Sequence, residues 1–262
     1  MITNPMRLAA YLMLAAAVAC GAPALHAQEA APDAPVAEAT ADLPSVDEIV
    51  AGYLDNTGGA DAWRAITSQR SAVRMSMGPM EFTATVTSAM PDRQHIDVDV
   101  QGQRLVQAYD GEQAWQINPF AGGTKAQPMS DEEAEQFTRQ EFQSPFLDMA
   151  DKGHSAEVLG TKEVEGTQTY EVKLTKADGD TEFYYFDAEY LVPIMQAMDI
   201  AGGPMKGQRA ETYLSDYQEV DGLMMPHFIE TKIGGNSLQK MTITSIENNV
   251  AVDDALFRMP TE

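Results

Sequence analysis

The sequence predicts a mainly β fold, in which about a dozen antiparallel strands curl toward a barrel, with helices at the start and in the middle. The main observation is a period-two alternation of apolar and polar residues in runs rich in Val, Thr, Tyr and Phe. Gly-Pro, Asp-Gly and Gly-Gly pairs separate successive runs, which is typical of a meander. If the sheet curls around the helices, it encloses an apolar pocket. The predicted strands cover residues 70–77, 81–89, 93–100, 103–109, 113–117, 155–164, 169–175, 181–186, 193–200, 208–220, 223–233 and 237–250.

Helical spacing precedes the first strand. Ser45 and Glu48 form a capping box, and apolar residues then recur at helical intervals until Gly58 and Gly59 end the helix. A short second helix is predicted over residues 60–66.

A second helical region interrupts the strands. Ser130 and Glu133 form another capping box, and several apolar side chains follow it. The pair Ser144-Pro145 breaks this segment. We therefore expect two short helices here, which would act as a lid over the pocket.

The charge balance excludes one class of partner. The chain has 17 Lys and Arg against 40 Asp and Glu, a formal net charge of -23, which speaks against binding nucleic acid through its phosphates. The apolar fraction of 44% is enough to build a core. The sequence therefore predicts a folded, acidic protein.

The N-terminus predicts export. Residues 1–27 have a single charged residue, Arg7, and an apolar run too short to span a bilayer as a helix. Small residues precede the predicted cleavage site after Ala27, as in a signal peptide. Residues 28–43 are rich in Ala, Pro and acids and predict a disordered linker. Residues 44–262 then form one domain, which the signal peptide places in the periplasm.

The only cysteine, Cys20, lies within the signal segment, so no disulfide is expected in the mature chain. Its surroundings resemble a lipobox, except that Ala17 stands where such boxes usually have Leu. Cleavage after Ala27 is the main prediction. An outer-membrane lipoprotein acylated at Cys20 is the alternative.

The sequence predicts no enzyme and no cofactor. Three histidines remain after the signal peptide, far apart, and no nucleophile motif or phosphate-binding glycine loop is present. Asp97 and Asp99 alternate with apolar residues, which favours a solvated strand face over a carboxylate pair. We interpret His227 as a core or pocket residue rather than a metal ligand.

Methionine is unusually abundant, with 16 in the chain. Met75, Met77 and Met80, or Met195 and Met198, have a spacing that could bind Cu(I) in an exported protein. The other interpretation is that these side chains fill an interior that must accept variable apolar guests. No His or Cys lies nearby in sequence to complete a metal site, which favours the apolar interpretation.

Five segments together resemble the LolA-like outer membrane lipoprotein-sorting family of lipid and lipoprotein carriers, which includes LolA, LolB and LppX types. The resemblance covers nearly all of the chain after residue 43. Each segment alone is weakly specific, but their order and spacing are more so. The segments are LDNTGGADAW at 54–63, YDGEQAW at 109–115, YYFD at 184–187, YQEVDGL at 217–223 followed by Pro226-His227, and DALF at 254–257.

The resemblance implies a half-open antiparallel barrel of about 11 or 12 strands with an N-terminal helix and a short helical lid. It implies acylated lipoprotein or lipid as cargo, an inner-membrane donor complex and an outer-membrane acceptor. One feature departs from the LolA carriers, in which an arginine before a strand-edge proline helps to hold the lid and cargo. Here Met90 precedes Pro91, and the nearest arginine is Arg93.

We therefore predict a monomeric, non-enzymatic periplasmic carrier of acyl chains. The alternatives are a LolB-like acceptor anchored in the outer membrane and a methionine-rich Cu(I)-binding protein. The candidate lining of the cavity comes from one sheet face and the lid. It comprises Met75, Met77, Phe82, Trp115, Ile117, Phe137, Phe146, Met149, Tyr185, Met198, Tyr213 and Phe228.

Overall fold

The computed structural model describes residues 43–121, 123–138, 141–200 and 205–261. The predicted signal peptide 1–27 and nearly all of the predicted linker 28–43 lie outside the described residues. In the described part of the chain, no helix combines the length and the apolar character needed to cross a membrane.

The described residues form one antiparallel sheet of thirteen strands. All twelve predicted runs are strands, and the thirteenth, β6, is a two-residue strand that the sequence did not reveal. The strands are β1 Ser68–Met77, β2 Met80–Ala89, β3 Arg93–Val100, β4 Gln103–Tyr109, β5 Ala114–Ile117, β6 Gln127–Pro128, β7 Ser155–Val164, β8 Thr167–Thr175, β9 Thr181–Asp187, β10 Pro193–Asp199, β11 Arg209–Val220, β12 Leu223–Ile233 and β13 Asn236–Asn248.

The strand order shows how the chain fills the sheet. From β1 in the middle, each strand pairs with the next outward to β6 at one end, and the chain then restarts at β7, the other end. Successive hairpins return it to β13, which pairs with β1. Because β6 and β7 do not pair with each other, the sheet is open, as expected for a half-barrel.

Three α-helices accompany the sheet in the described residues: α1 Val46–Asn56, α2 Ala60–Arg64 and α3 Asp131–Thr138. The α1 helix begins with the predicted capping box, in which the Ser45 hydroxyl accepts from the backbone N–H of Glu48.

The prediction of two inserted helices is wrong for the second one. The segment 141–153, which we call the cover segment, is built of turns. Its Asp148 has a φ of 53° and its Gly153 a φ of 73°, and both values are incompatible with a continuing helix.

The sheet has two unlike faces. The face that we call inner carries the main apolar core, which also includes residues of α1, α3 and the cover segment. The opposite, outer face carries two smaller apolar clusters, one on β4 and β5 and one on β9 and β10. The inner face is therefore the covered face of the sheet.

Two of the segments that carry the family resemblance pack directly against each other. The backbone N–H of Met224 donates to the carbonyl of Thr57 at 3.2 Å. A Cβ added at Gly58 would lie 2.4 Å from the carbonyl oxygen of Gly222, and Gly58 has a φ of 111°. Only glycine permits this approach of the loop after α1 to the β11–β12 turn.

Candidate functional site

The centre of the inner face is a cluster of four aromatic rings. Tyr53 of α1 and Phe146 of the cover segment meet Tyr184 and Phe186 of β9. The Phe146 ring centroid lies 4.8 Å from that of Tyr184, 5.3 Å from that of Phe186 and 6.3 Å from that of Tyr53, all edge to face. Burial raises the pKa of the Tyr53 hydroxyl, so it stays neutral. Phe146 is thus one of the buried contacts that dock the cover segment on the sheet.

An ion pair fixes the outside of the cover segment. Arg64 of α2 binds Asp148 through Nη2 at 2.7 Å and through Nε at 3.0 Å. Hydrogen bonds from Arg64 hold the pKa of the Asp148 carboxyl below its usual range. The cover segment is therefore attached by the buried ring cluster, by this partly exposed ion pair and by a second apolar cluster. In that cluster its Phe142 and Leu147 pack with Trp63, Ile66, Leu223 and Met225.

Seven of the twelve predicted lining residues lie on the inner face or on its cover. Met75 and Phe82 are direct neighbours on β1 and β2, and both pack in the main core. Met77 shares the face of Met75, and Met198 shares the face of the core strands through its pairing with Ala210. The remaining three are in the parts that cover the sheet: Phe137, Phe146 and Met149.

The other five predicted lining residues lie on the outer face, so we remove them from the candidate lining. Alternation shows that every second residue of a strand shares a face, but it does not show which of the two faces points inward. A wrong choice of face therefore misplaces every predicted lining residue of that strand. Strand register and the apolar clusters place all five on the outer face. They are Trp115, Ile117, Tyr185, Tyr213 and Phe228.

Trp115 has a structural role on that face. Its indole Nε1–H donates to the carbonyl of Phe257 at 2.6 Å, and Phe257 is fully buried. Arg93 lies over the Phe257 ring at 5.1 Å and pairs with Asp254. Arg93, the arginine nearest to Pro91, thus contacts the C-terminal segment on the outer face.

Tyr185 and Tyr213 belong to an outer layer of rings beneath cations. Lys162 lies 5.2 Å above the ring of Tyr185, and Lys232 lies 3.9 Å above that of Tyr213. Burial, with the Glu211 carboxylate, raises the pKa of Tyr213 to about 12. These rings therefore pack in the outer apolar cluster on β9 and β10 on one side and contact cations on the other.

The inner face also has a feature that sequence reasoning missed, which we call the polar row. It crosses five strands, β9 to β13. Register makes its four members on β10 to β13 direct neighbours, and Glu182 on β9 joins them by accepting a hydrogen bond from Gln196. All are buried, although polar strand residues usually face water. The row consists of Glu182, Gln196, Thr212, Thr231 and Gln239.

Titratable groups are scattered rather than gathered. Within the described ranges, no group of three or more His, Cys, Asp or Glu side chains is arranged to hold a metal ion. Asp97 is ion-paired with Arg104, in keeping with a solvated outer face. His227 is buried and its ring Nδ1 lies 3.0 Å from the carbonyl oxygen of Met225.

The architecture defines a class of protein, an open antiparallel half-barrel whose inner face is covered by helices and turns. No protein-family profile and no curated protein sequence matches the chain. Among solved structures, it is similar to a LolA superfamily protein from Nitrosomonas europaea, with 10% identity, a TM-score of 0.55, and coverage of 82% of this chain and 98% of that one. A protein domain assigned to outer membrane lipoprotein sorting, from Vibrio parahaemolyticus, gives 10% identity, a TM-score of 0.53 and coverage of 80% and 97%. The chain therefore has a LolA-like fold.

Proposed function

We propose that this chain is a non-enzymatic periplasmic carrier that binds the acyl chains of lipoproteins or lipids on its inner face and moves them toward the outer membrane. The observation that carries the proposal is the large apolar core of the inner face, beneath a cover segment that two apolar clusters and one ion pair attach. The LolA-like fold supports the same function.

An acyl chain needs a carrier because its transfer into water costs a large free energy. Each buried methylene contributes about 0.8 kcal/mol, so a fourteen-carbon chain loses roughly 10 kcal/mol when it enters water. A carrier must therefore replace the membrane interior with apolar protein surface. Displacement of Phe146 from its three ring contacts would expose such a surface on β9, while the strongly acidic exterior keeps the carrier soluble.

The methionines support the same function. Met75 is buried beside Met241 on the inner face, and its thioether faces the Gln239 amide at 3.8 Å. Unbranched, polarisable side chains of this kind adapt to guests of different shape. The carrier acts as a monomer between an inner-membrane donor and an outer-membrane acceptor.

A matched pair of variants tests the proposal with a fluorescent fatty-acyl probe. Phe82 and Phe228 are both half-buried phenylalanines in strands, but Phe82 lies on the inner face and Phe228 on the outer face. Phe82→Ser should weaken probe binding by about tenfold, because burial of one aromatic side chain contributes on this scale. Phe228→Ser should leave binding unchanged. Failure of the wild-type chain to bind the probe, or equal loss in both variants, contradicts the proposal.

Native mass spectrometry of the chain purified from its own compartment identifies cargo and anchor together. Co-purified acylated species are the expected result. The mass of the mature chain also separates cleavage after Ala27 from acylation at Cys20, and an acylated form would favour the anchored acceptor.

A further inference from the structure

The hydrogen-bonding capacity of the polar row is only partly used. Gln196 is 4% exposed and Gln239 is 1% exposed, and the side-chain Oε1 of each has no hydrogen-bond partner among the described residues. Buried acceptors without partners are rare in folded proteins, because they lose their bonds to water and gain nothing in exchange.

The neighbours of the two amides determine which atom is free. The Nε2 of Gln196 donates to Glu182 Oε2 at 2.9 Å, and a carboxylate can only accept. The Nε2 of Gln239 faces the Met75 thioether at 3.8 Å, which is likewise an acceptor. Both amides are thereby oriented, and the free atom is an acceptor in each case.

The charge in the row is already compensated. Glu182 accepts from Lys176 Nζ at 2.7 Å and from the Tyr184 hydroxyl at 2.7 Å, in addition to Gln196. A group that carried a full charge would therefore find no unpaired counter-charge here. The row suits a neutral group that donates hydrogen bonds.

The row also borders the apolar part of the inner face. On β13, Gln239 is followed by Met241 on the same face, and on β12, Thr231 is preceded by Ile229, both members of the main core. Gln196 and Gln239 are three strand spacings apart, about 14 Å along the sheet. The ligand's polar end should carry several donors.

We propose that the polar row binds the neutral polar end of an acylated ligand. Its hydroxyl or amide N–H groups donate to Oε1 of Gln196 and of Gln239, while the acyl chain lies against the apolar inner face. This inference rests on the proposed carrier function and adds selection by the polar end of the cargo.

The test compares three ligands with the same oleoyl chain, each displacing a fluorescent fatty-acyl probe from the full chain. Methyl oleate has no donor, 1-oleoylglycerol has hydroxyl donors, and oleoyl-glycyl-glycinamide has amide donors. The quantity measured is the affinity of each donor ligand relative to methyl oleate. Gln239→Met should lower that ratio by about fivefold and the double variant with Gln196→Met by about tenfold or more, for at least one donor ligand.

Methyl oleate binding reports that the variants fold, because it should be unchanged. Gln239→Met is the safer variant, since Gln239 Nε2 contacts only a weak acceptor. Gln107→Met is the matched control: Gln107 is equally buried on the inner face and has a free Oε1, but it lies on β4, outside the row. Its ratio should equal that of the wild type.

The outcomes separate this inference from the carrier function. If methyl oleate binds but the ratio is the same in the wild type and the double variant, the inference is overturned and the carrier stands. If no oleoyl ligand binds the wild-type chain, both fail. The donor ligand whose ratio falls identifies the source of the polar end, a glyceride or an acylated peptide.

Discussion

Truncation of Phe146 tests whether the cover segment moves independently of the sheet. Phe146 is buried against three rings, so Phe146→Ala removes close to a full aromatic side chain from the core. The cost to the closed state is about 3–5 kcal/mol, a factor of roughly 10² to 10⁴ in its population. Phe186→Ala on β9 removes the same kind of side chain from the same cluster, but from a strand.

The two variants should therefore differ. If the cover segment opens on its own, the loss in global unfolding free energy for Phe146→Ala cannot exceed the free energy that holds the segment closed. Phe186→Ala should lose the full amount in urea unfolding, because its strand cannot leave without the sheet. Acyl-probe uptake should be faster in Phe146→Ala than in the wild-type chain.

Hydrogen exchange supplies the assay of opening. The backbone N–H of Lys152 donates to the Asp148 carbonyl at 3.1 Å, and that of Gly153 to the Ala150 carbonyl at 3.0 Å. These amides should exchange faster in Phe146→Ala while β9 amides stay protected. Equal losses in global stability, with cover-segment amides exchanging only through global unfolding, would refute the reasoning.

Three further outcomes are expected in urea unfolding experiments. Gly58→Ala should cost about 1–3 kcal/mol more than Gly111→Ala, because both have a φ above 100° but only the former places its Cβ 2.4 Å from a backbone oxygen; equal costs would contradict the clash. Burial lowers the pKa of His95 below 6.5, so the unfolded chain takes up this proton first and stability falls as the pH drops below 6.5; the fall should be shallower in His95→Gln. Hydrogen bonds from Ser130 lower the pKa of Glu133, so Ser130→Ala should cost about 1 kcal/mol at pH 7, and the difference from wild type should shrink as the pH falls below 4.5.

The sequence was sufficient to predict the strands because their alternation is long and regular. It was insufficient for β6, since two residues show no period and β6 exists only through its pairing with β5. It also failed at the second lid helix, where apolar spacing suggested a helix but Asp148 and Gly153 take positive φ values. Local periodicity predicts an element only where no residue inside it requires another backbone conformation.

The candidate site was harder to predict than the fold. For Trp115 and Tyr185, large apolar side chains suggested the core face, although the outer face has apolar clusters of its own. The polar row was missed because Gln and Thr in strands usually indicate solvent. The alternation along β13 could have revealed it, because Gln239 lies two residues before the buried Met241 and therefore shares its face.

The unclosed sheet leaves two rims whose free backbone groups could recruit foreign strands into aggregates. One rim, β6, is only Gln127–Pro128, and proline offers no N–H to an incoming chain. The other, β7, is interrupted by an irregularity between Val158 and Gly160 and carries the charges of Lys162 and Glu163. Both terminal strands are thus poor templates for another chain, so an open sheet of this kind carries a reduced tendency to aggregate through its edges.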